Sequence, residues 1–190
     1  LPDGRVLTMG GEDRHSPSTQ FVPELFSPPY LFQGARPTIQ SAPRVALYGQ
    51  VIDVETPDGA ALESVVLMRN GSVTHNFNMS QSYVPLSFVQ NAGGLDVTMP
   101  DANLAPPGDY MLFLVNTSGV PSIASSVRML VDRDQDGILD DGSQSLQEGD
   151  LLCDGVTTTG CDDNCPLDAN PLQIDTELDG LGNACDDDDD

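Results

Sequence analysis

Between residues 45 and 131 the chain breaks into short apolar runs separated by turn residues. Val45–Tyr48, Val51–Glu55, Ser64–Arg69, Tyr83–Val89, Leu95–Thr98, Tyr110–Val115 and Ala124–Val131 each read as a strand, rich in Val, Leu, Ile, Tyr and Phe. Pro57-Asp58-Gly59, Asn70-Gly71, Ala92-Gly93-Gly94 and Pro106-Pro107-Gly108 supply the turn chemistry between them. No stretch keeps a 3.6-residue apolar period over three turns, so helices are not expected. Short strands at this spacing predict an all-β fold, a β-sandwich, and residues 23–131 are enough chain to bury a core between two sheets.

The pattern changes on both sides. Residues 1–22 hold one strand signal, Arg5–Met9, entered by Pro2-Asp3-Gly4 and left by Gly10-Gly11. One strand cannot fold alone, so this segment reads as the last piece of a preceding β-domain. The Pro-rich stretch Pro23–Pro43 is expected to run extended, strapped along the sandwich. At Val131/Asp132 the apolar alternation stops and regularly spaced acids begin. The expected organisation is therefore 1–22, 23–131 and 132–190.

Charge sharpens that last boundary. The formal net charge is -23 and the chain has no Lys; residues 1–131 hold 11 acids and 6 Arg, whereas residues 132–190 hold 19 acids and one Arg. Such a block repels nucleic acid and anionic membrane, and no apolar run is long enough to span a bilayer. Taken alone, it is equally compatible with a solvated acidic tail. All four cysteines, Cys153, Cys161, Cys165 and Cys185, lie in this segment. An even count in a stretch too polar for a core reads as disulfides of an extracellular, secreted protein. The spacing does not suit zinc knuckles and no His falls there. Three Asn-x-Ser/Thr sequons, at Asn70, Asn78 and Asn116, fit secretion.

The acids are not randomly placed. Asp132-x-Asp134-x-Asp136-Gly137-Ile138-x-Asp140 puts carboxylates at positions 1, 3, 5 and 9 of a loop that turns at a glycine, with the Ile138 carbonyl as a further oxygen. That is calcium-loop chemistry without flanking helices, and position 12 is Ser143. Asp175-x-Glu177-x-Asp179-Gly180 repeats the alternation. Asp162-Asp163-Asn164-Cys165-Pro166, Asn170-Pro171-x-Gln173 and Cys185-Asp186 complete a run, DNCP…NPxQxDxExDGxGxxCD, that resembles a thrombospondin type 3 repeat. Glu177 stands where Asp is usual, and residues 143–161 look like an insertion. The resemblance implies a cable wound around calcium ions, with neighbouring cysteines paired as Cys153–Cys161 and Cys165–Cys185. It makes Asp132, Asp134, Asp136, Ile138, Asp140, Asp163, Asp175, Glu177, Asp179 and Asp186 the calcium ligands. Carboxylates held so close repel, so this segment should fold only around cations.

The sandwich carries a second resemblance. Glu24–Phe32, Arg36-Pro37, the loop Thr74-His75 through Asn78 and Gln81, and Pro106–Phe113 through Gly119–Ser122 resemble the C-terminal domain of galactose oxidase-like and glyoxal oxidase-like copper radical oxidases. Leu1–Val6 resembles the last propeller strand leading into it. The resemblance implies an immunoglobulin-like early set sandwich beneath a seven-bladed propeller. It also implies that His75 reaches the copper of the full-length parent, while two Tyr and a second His come from the propeller. Tyr30, Tyr48, Tyr83 and Tyr110 do not match ligand positions, and His15 lies in a polar loop. No catalytic set is complete in this chain.

Two functions follow as expectations. In the first, the chain is a calcium-binding extracellular structural or interaction module at the C-terminal end of a copper-radical-oxidase-like protein. Its partners are then calcium ions, the preceding propeller and an extracellular protein or polysaccharide. In the second, it is part of an active enzyme that oxidises an alcohol or aldehyde with O2, giving H2O2. A sugar-binding sandwich built on exposed aromatics finds no support, because Trp is absent.

Overall fold

The computed structural model describes residues 1–9, 22–74, 77–145 and 147–187. The strands in chain order are β1 (Val6–Thr8), β2 (Glu24–Phe26), β3 (Val45–Leu47), β4 (Val51–Glu55), β5 (Leu62–Arg69), β6 (Val73–Thr74), β7 (Phe77–Asn78), β8 (Tyr83–Gln90), β9 (Gly94–Thr98), β10 (Gly108–Asn116) and β11 (Ser125–Leu130). Every strand expected from the apolar runs is present. The chain forms two compact units: Leu1–Arg44, Gly49–Ala105 and Asp109–Val127 make the first, and Val45–Tyr48, Pro106–Gly108 and Arg128–Asp190 the second.

In the first unit the strand order is β11-β10-β5-β8-β9-β4. The sandwich is made by β8, which serves two sheets. Tyr83–Leu86 pair antiparallel with β5 and Ser87–Gln90 pair with β9, so the strand changes partner between Leu86 and Ser87. The two-residue period of a strand explains the outer sheet. In β4, Ile52 and Val54 are buried while Val51, Asp53 and Glu55 are exposed; in β9, Leu95 and Val97 are buried. The central strands β5 and β10 instead bury continuous runs, Val65–Leu67 and Leu112–Leu114, because both of their faces are covered. Val66, Met68, Met111, Phe113 and Val115 face a groove lined on its other side by Leu1, Gly4–Val6 and Tyr30.

The Pro-rich lead-in is a strap, as expected. The Tyr30 hydroxyl donates to the Gly4 carbonyl at 2.8 Å. Arg36 donates from Nε to the Pro121 carbonyl and from Nη2 to the Ser122 carbonyl, at 2.9 and 2.7 Å. Asn116 Nδ2 donates to the Ala35 carbonyl, and along the edge of β4 Gln40 N donates to the Glu55 carbonyl while Glu55 N donates to the Ser41 carbonyl. Two pairings went unforeseen: β1 with β2, in which Val6 faces Phe26, and the short hairpin β6–β7.

In the second unit β3 runs parallel to the Arg128–Leu130 end of β11, burying Ala46, Met129 and Leu130. The rest is irregular loop, with no α-helix among the described residues. Its interior is made of disulfides and polar groups: Cys153, Cys161, Cys165, Asp140, Asp162, Asp163, Asn164 and Gln173 are buried, while Val156, Leu167, Leu172 and Leu178 are exposed. The cysteines are joined as Cys153–Cys161 and Cys165–Cys185, the pairing the resemblance implied.

The two acidic loops are copies of one another in backbone. Gln135 and Leu178, at equivalent positions, have φ of 62° and 59°, and Gly137 and Gly180 have φ of 96° and 98°. These last two need glycine, since residues with a Cβ rarely adopt such a φ. In each loop the first Asp accepts from the glycine N–H, Gly137 to Asp132 Oδ2 and Gly180 to Asp175 Oδ2. In each the third acid then accepts two residues on, Ile138 to Asp136 Oδ1 and Leu181 to Asp179 Oδ1.

Candidate metal centre

Asp132, Asp134 and Asp136 bring three carboxylate oxygens within 4.8 Å of one another. The turn makes this inevitable: alternating side chains of a loop that bends at Gly137 point to its inside. Backbone N–H groups hold the carboxylates: from within the loop Asp136 N donates to Asp134 Oδ1 at 3.2 Å, and from farther along the chain Asn170 N donates to Asp136 Oδ2 at 2.8 Å. Asp132 Oδ1 and Asp134 Oδ2 are nevertheless buried with no donor.

A fourth carboxylate arrives from elsewhere in the chain. Asp163 is 1% exposed, and its N–H donates to the Leu139 carbonyl, at the end of the first loop. Its Oδ1 is taken by Cys165 N and Gln173 Nε2, both at 2.8 Å, while its Oδ2 is buried and has no donor. Burial raises the Asp134 pKa, and the neighbouring charges of Asp136, Asp163 and Asp132 raise it further against the opposing bond from Asp136 N. Orphaned buried carboxylate oxygens are costly. Those of Asp132 and Asp134 belong to the gathered cluster, and with Asp136 they make a set of hard oxygen donors that suits Ca2+; Asp163 Oδ2 and Asp140 Oδ2 are likewise buried without a hydrogen-bond donor.

Asp140 is placed differently. It is 1% exposed, its Oδ1 accepts from Arg133 N at 3.2 Å and its Oδ2 lies 2.7 Å from Arg133 Nη1. Arg133 also forms a two-pronged pair with Glu148, 3.0 Å on each arm. Burial raises the Asp140 pKa despite that partner. Asp140 is thus committed to an internal ion pair and is not among the gathered carboxylates.

In the second loop Glu177, Asp179 and Asp186 bring their oxygens within 4.8 Å; the first two are exposed and the third half-buried. Asp186 is the twelfth residue counted from Asp175. In the first loop the twelfth is Ser143, which offers no carboxylate. Asp175 itself stands outside the cluster, accepting from Leu178 N and Gly180 N.

What delivers Asp163 is the neck of the excursion that begins at Ser143. Asp162, fully buried, accepts from Ser143 N at 2.9 Å on Oδ1 and from Asp150 N at 3.1 Å on Oδ2, and Leu152 bridges to Asp162 in parallel. Burial alone would raise the Asp162 pKa, but the bonds from Ser143, Leu151 and Asp150 outweigh it and the pKa is lowered. Gly142 lies so close to the Cys161 carbonyl that a Cβ could not fit. Asn164 then donates to the Cys153 and Gln173 carbonyls at 3.0 Å, and Asn170 Nδ2 to Asn164 Oδ1 at 2.7 Å. The sequence reading overlooked Asp162. The adjacent acids of Asp162-Asp163 were the signal, but their opposite duties depend on Ser143, 19 residues away.

His75, the expected copper ligand, lies outside the described residues, as does His15. On either side of it, Val73, Phe77 and Met79 are exposed. No helix of the described residues is long and apolar enough to cross a membrane.

Comparison with known proteins bears on the first unit. Residues 36–129 match the family model described as galactose oxidase-like, early set domain. A galactose oxidase of Gibberella zeae is 34% identical over 138 residues, covering 68% of this chain and 20% of that protein. The aldehyde oxidase GLOX of Vitis pseudoreticulata is 34% identical over 150 residues, covering 68% of this chain and 28% of its own. Among solved structures, a fungal alcohol oxidase of the AA5 family in complex with copper superposes with a TM-score of 0.61 at 30% identity, over 67% of this chain and 29% of that one. The chain therefore spans between a fifth and three tenths of the length of these relatives.

Proposed function

Residues 36–129 belong to the galactose oxidase-like early set family, and from that premise we propose that this chain is the C-terminal part of a secreted copper-radical-oxidase-like protein, ending in a calcium-binding structural module of the thrombospondin type 3 kind. The observation that carries the calcium reading is the pair of buried, donorless oxygens, Asp132 Oδ1 and Asp134 Oδ2, within the Asp132–Asp134–Asp136 cluster. Asp132, Asp134, Asp136 and Asp163, with the Ile138 carbonyl, hold the first ion. Glu177, Asp179 and Asp186 hold a second in a more open setting.

Calcium here is structural. The second unit has a polar interior, and its acids repel until a cation neutralises them, so binding energy becomes folding energy. A rigid cable of this kind serves as an extracellular spacer or as a surface for a protein or polysaccharide partner. The test is limited proteolysis of the chain in calcium and in EGTA. Cleavage within residues 132–190 should rise sharply in EGTA while residues 36–129 stay protected. Equal resistance in both conditions contradicts the reading.

The second reading, an active parent oxidase, is favoured by the oxidases among the relatives. Residues 1–22 are then the end of a preceding propeller, and the exposed Val73, Phe77 and Met79 are covered by it. Copper in the parent would supply one-electron chemistry toward O2. This chain's contribution would be the His75 imidazole, while the remaining ligands would lie upstream. Assay of the protein extended upstream of Leu1, with copper and a primary alcohol or aldehyde, should yield peroxide. It should lose that activity on His75→Ala while keeping its fold.

A further inference from the structure

Resting on the two calcium loops proposed above, we infer that Cys165–Cys185 is a redox lock on both of them. Its opening and cation binding are thermodynamically linked, and more strongly than those of Cys153–Cys161, whose loop encloses no acid of either cluster. The bridge joins the residue two after Asp163 to the residue directly before Asp186. Asp186 belongs to the second cluster, and Asp163, whose Oδ2 is buried without a donor and whose N–H bonds to the Leu139 carbonyl at the end of the first loop, is the fourth ligand proposed above for the first. Between the two cysteines lies the whole second loop.

The surroundings make one piece of these parts. Cys165 N donates to Asp163 Oδ1 at 2.8 Å, Gly182 N donates to the Asn164 carbonyl at 3.2 Å, and Cys165 Sγ lies 3.1 Å from the Gly182 carbonyl. Gly182 is pressed against the side chains of Asn164 and Asn170, leaving no room for a Cβ. Cys153–Cys161, by contrast, closes a loop whose one acid, Asp154, caps its own turn through Val156 N and Thr157 N at 3.0 and 2.8 Å. No carboxylate of either cluster lies inside that loop.

The chemistry is exchange with a dithiol reductant. A thiolate of the reductant attacks one sulfur of the bridge to form a mixed disulfide, and its second thiol displaces the remaining cysteine. Two electrons and two protons end on Cys165 and Cys185 as thiols, and the reductant leaves as its own disulfide. Once the bridge is open, the covalent restraint between the Asp163 and Asp186 segments is lost and more of their ordering falls to the ions, so each ion binds more weakly. Reciprocity requires that bound ions stabilise the bridge by the same factor. Equilibrium is the diagnostic, because neutralising the acids also speeds the approach of an anionic thiolate.

The experiment equilibrates the full chain in a series of dithiothreitol ratios, in calcium or in EGTA. Acid quenching, alkylation and peptide mass analysis then read each bridge separately. Calcium should shift the Cys165–Cys185 midpoint by about tenfold or more in reductant ratio and shift Cys153–Cys161 clearly less. The shift should shrink in Asp163→Asn, which keeps the bridge. Calorimetry on Cys165→Ser/Cys185→Ser should show calcium binding weakened by about the same factor. No shift, or an equal shift of both bridges, in a chain that binds calcium by calorimetry overturns the inference and leaves the calcium reading standing. No calcium binding by the oxidised chain overturns both.

Discussion

Gln173 Nε2 donates to Asp163 Oδ1 over 2.8 Å, and that bond decides which oxygen of Asp163 is left to face the first acidic loop. Gln173 is fully buried and is itself held by Asn170, whose backbone and side-chain oxygens accept from the same Nε2 at 3.2 and 2.7 Å. Outer partners of this kind orient a metal ligand, and losing one typically costs about 10–100-fold in affinity. Gln173→Ala should therefore weaken the first calcium by about that factor while both disulfides form, read by calorimetry and peptide mapping. Unchanged affinity would remove Gln173 from the site.

Asp162 has a different duty from its neighbour. Its carboxylate ties Ser143 and Asp150 together at the neck of the excursion. Asp162→Ala removes the charged acceptor of these two part-buried N–H groups and should cost about 1–3 kcal/mol, with new cleavage between residues 143 and 161. Because its pKa is lowered in the folded chain, the stability it contributes is present above the unfolded carboxylate pKa. That stability is lost as pH falls through the lower folded value. The excursion in calcium-saturated protein should therefore survive mild acid and loosen only below the ordinary carboxylate range, as followed by proteolysis at stepped pH.

Calcium binding should carry the opposite pH signature. In the cation-free chain the Asp134 pKa is raised by burial and by the charges of Asp136, Asp163 and Asp132. A raised carboxylate keeps its proton to higher pH, and a cation must displace that proton. The calcium affinity of the first loop should therefore begin to fall above the ordinary carboxylate range as pH is lowered. Asp134 also strains the cation-free fold once ionised, so EGTA-treated protein should gain stability as pH drops toward its pKa. Titrations at several pH values check both trends; an affinity flat down to the ordinary range contradicts them.

The sandwich answers to other contacts. Arg36 anchors the strap with two bonds to the Pro121 and Ser122 carbonyls. A single ammonium cannot reproduce that fork, so Arg36→Lys should lower stability by about 1.5–3 kcal/mol. The loss should be the same in calcium and in EGTA, by chemical denaturation monitored on the first unit.

The strands were legible because each carries its own signal. Ile52 and Val54 alternate with polar neighbours, and Leu112–Leu114 is an unbroken apolar run. The partner switch of β8 between Leu86 and Ser87 was not legible, because nothing local distinguishes the two halves of Tyr83–Gln90. The β1–β2 pairing was hidden because Glu24–Phe26 is three residues long and sits among prolines. In the acidic segment the alternating Asp residues showed the turns. Asp140 was expected among the calcium ligands, and the pattern gave no sign that Arg133 would make an ion pair with it. Position 12 of the first loop is Ser143, and the bond from Asp163 N to the Leu139 carbonyl at the end of that loop depends on a pinched neck that the linear pattern does not show.

The most direct measurement is a calorimetric calcium titration of the oxidised chain after exhaustive chelation. Two ions should bind per chain, the first at the half-buried Asp132–Asp134–Asp136 cluster, with Asp163 as its proposed fourth ligand, more tightly than the second at the more exposed Glu177–Asp179–Asp186 cluster. Asp163→Asn should selectively weaken the first. The absence of saturable binding, or a profile unchanged by Asp163→Asn, would contradict the account.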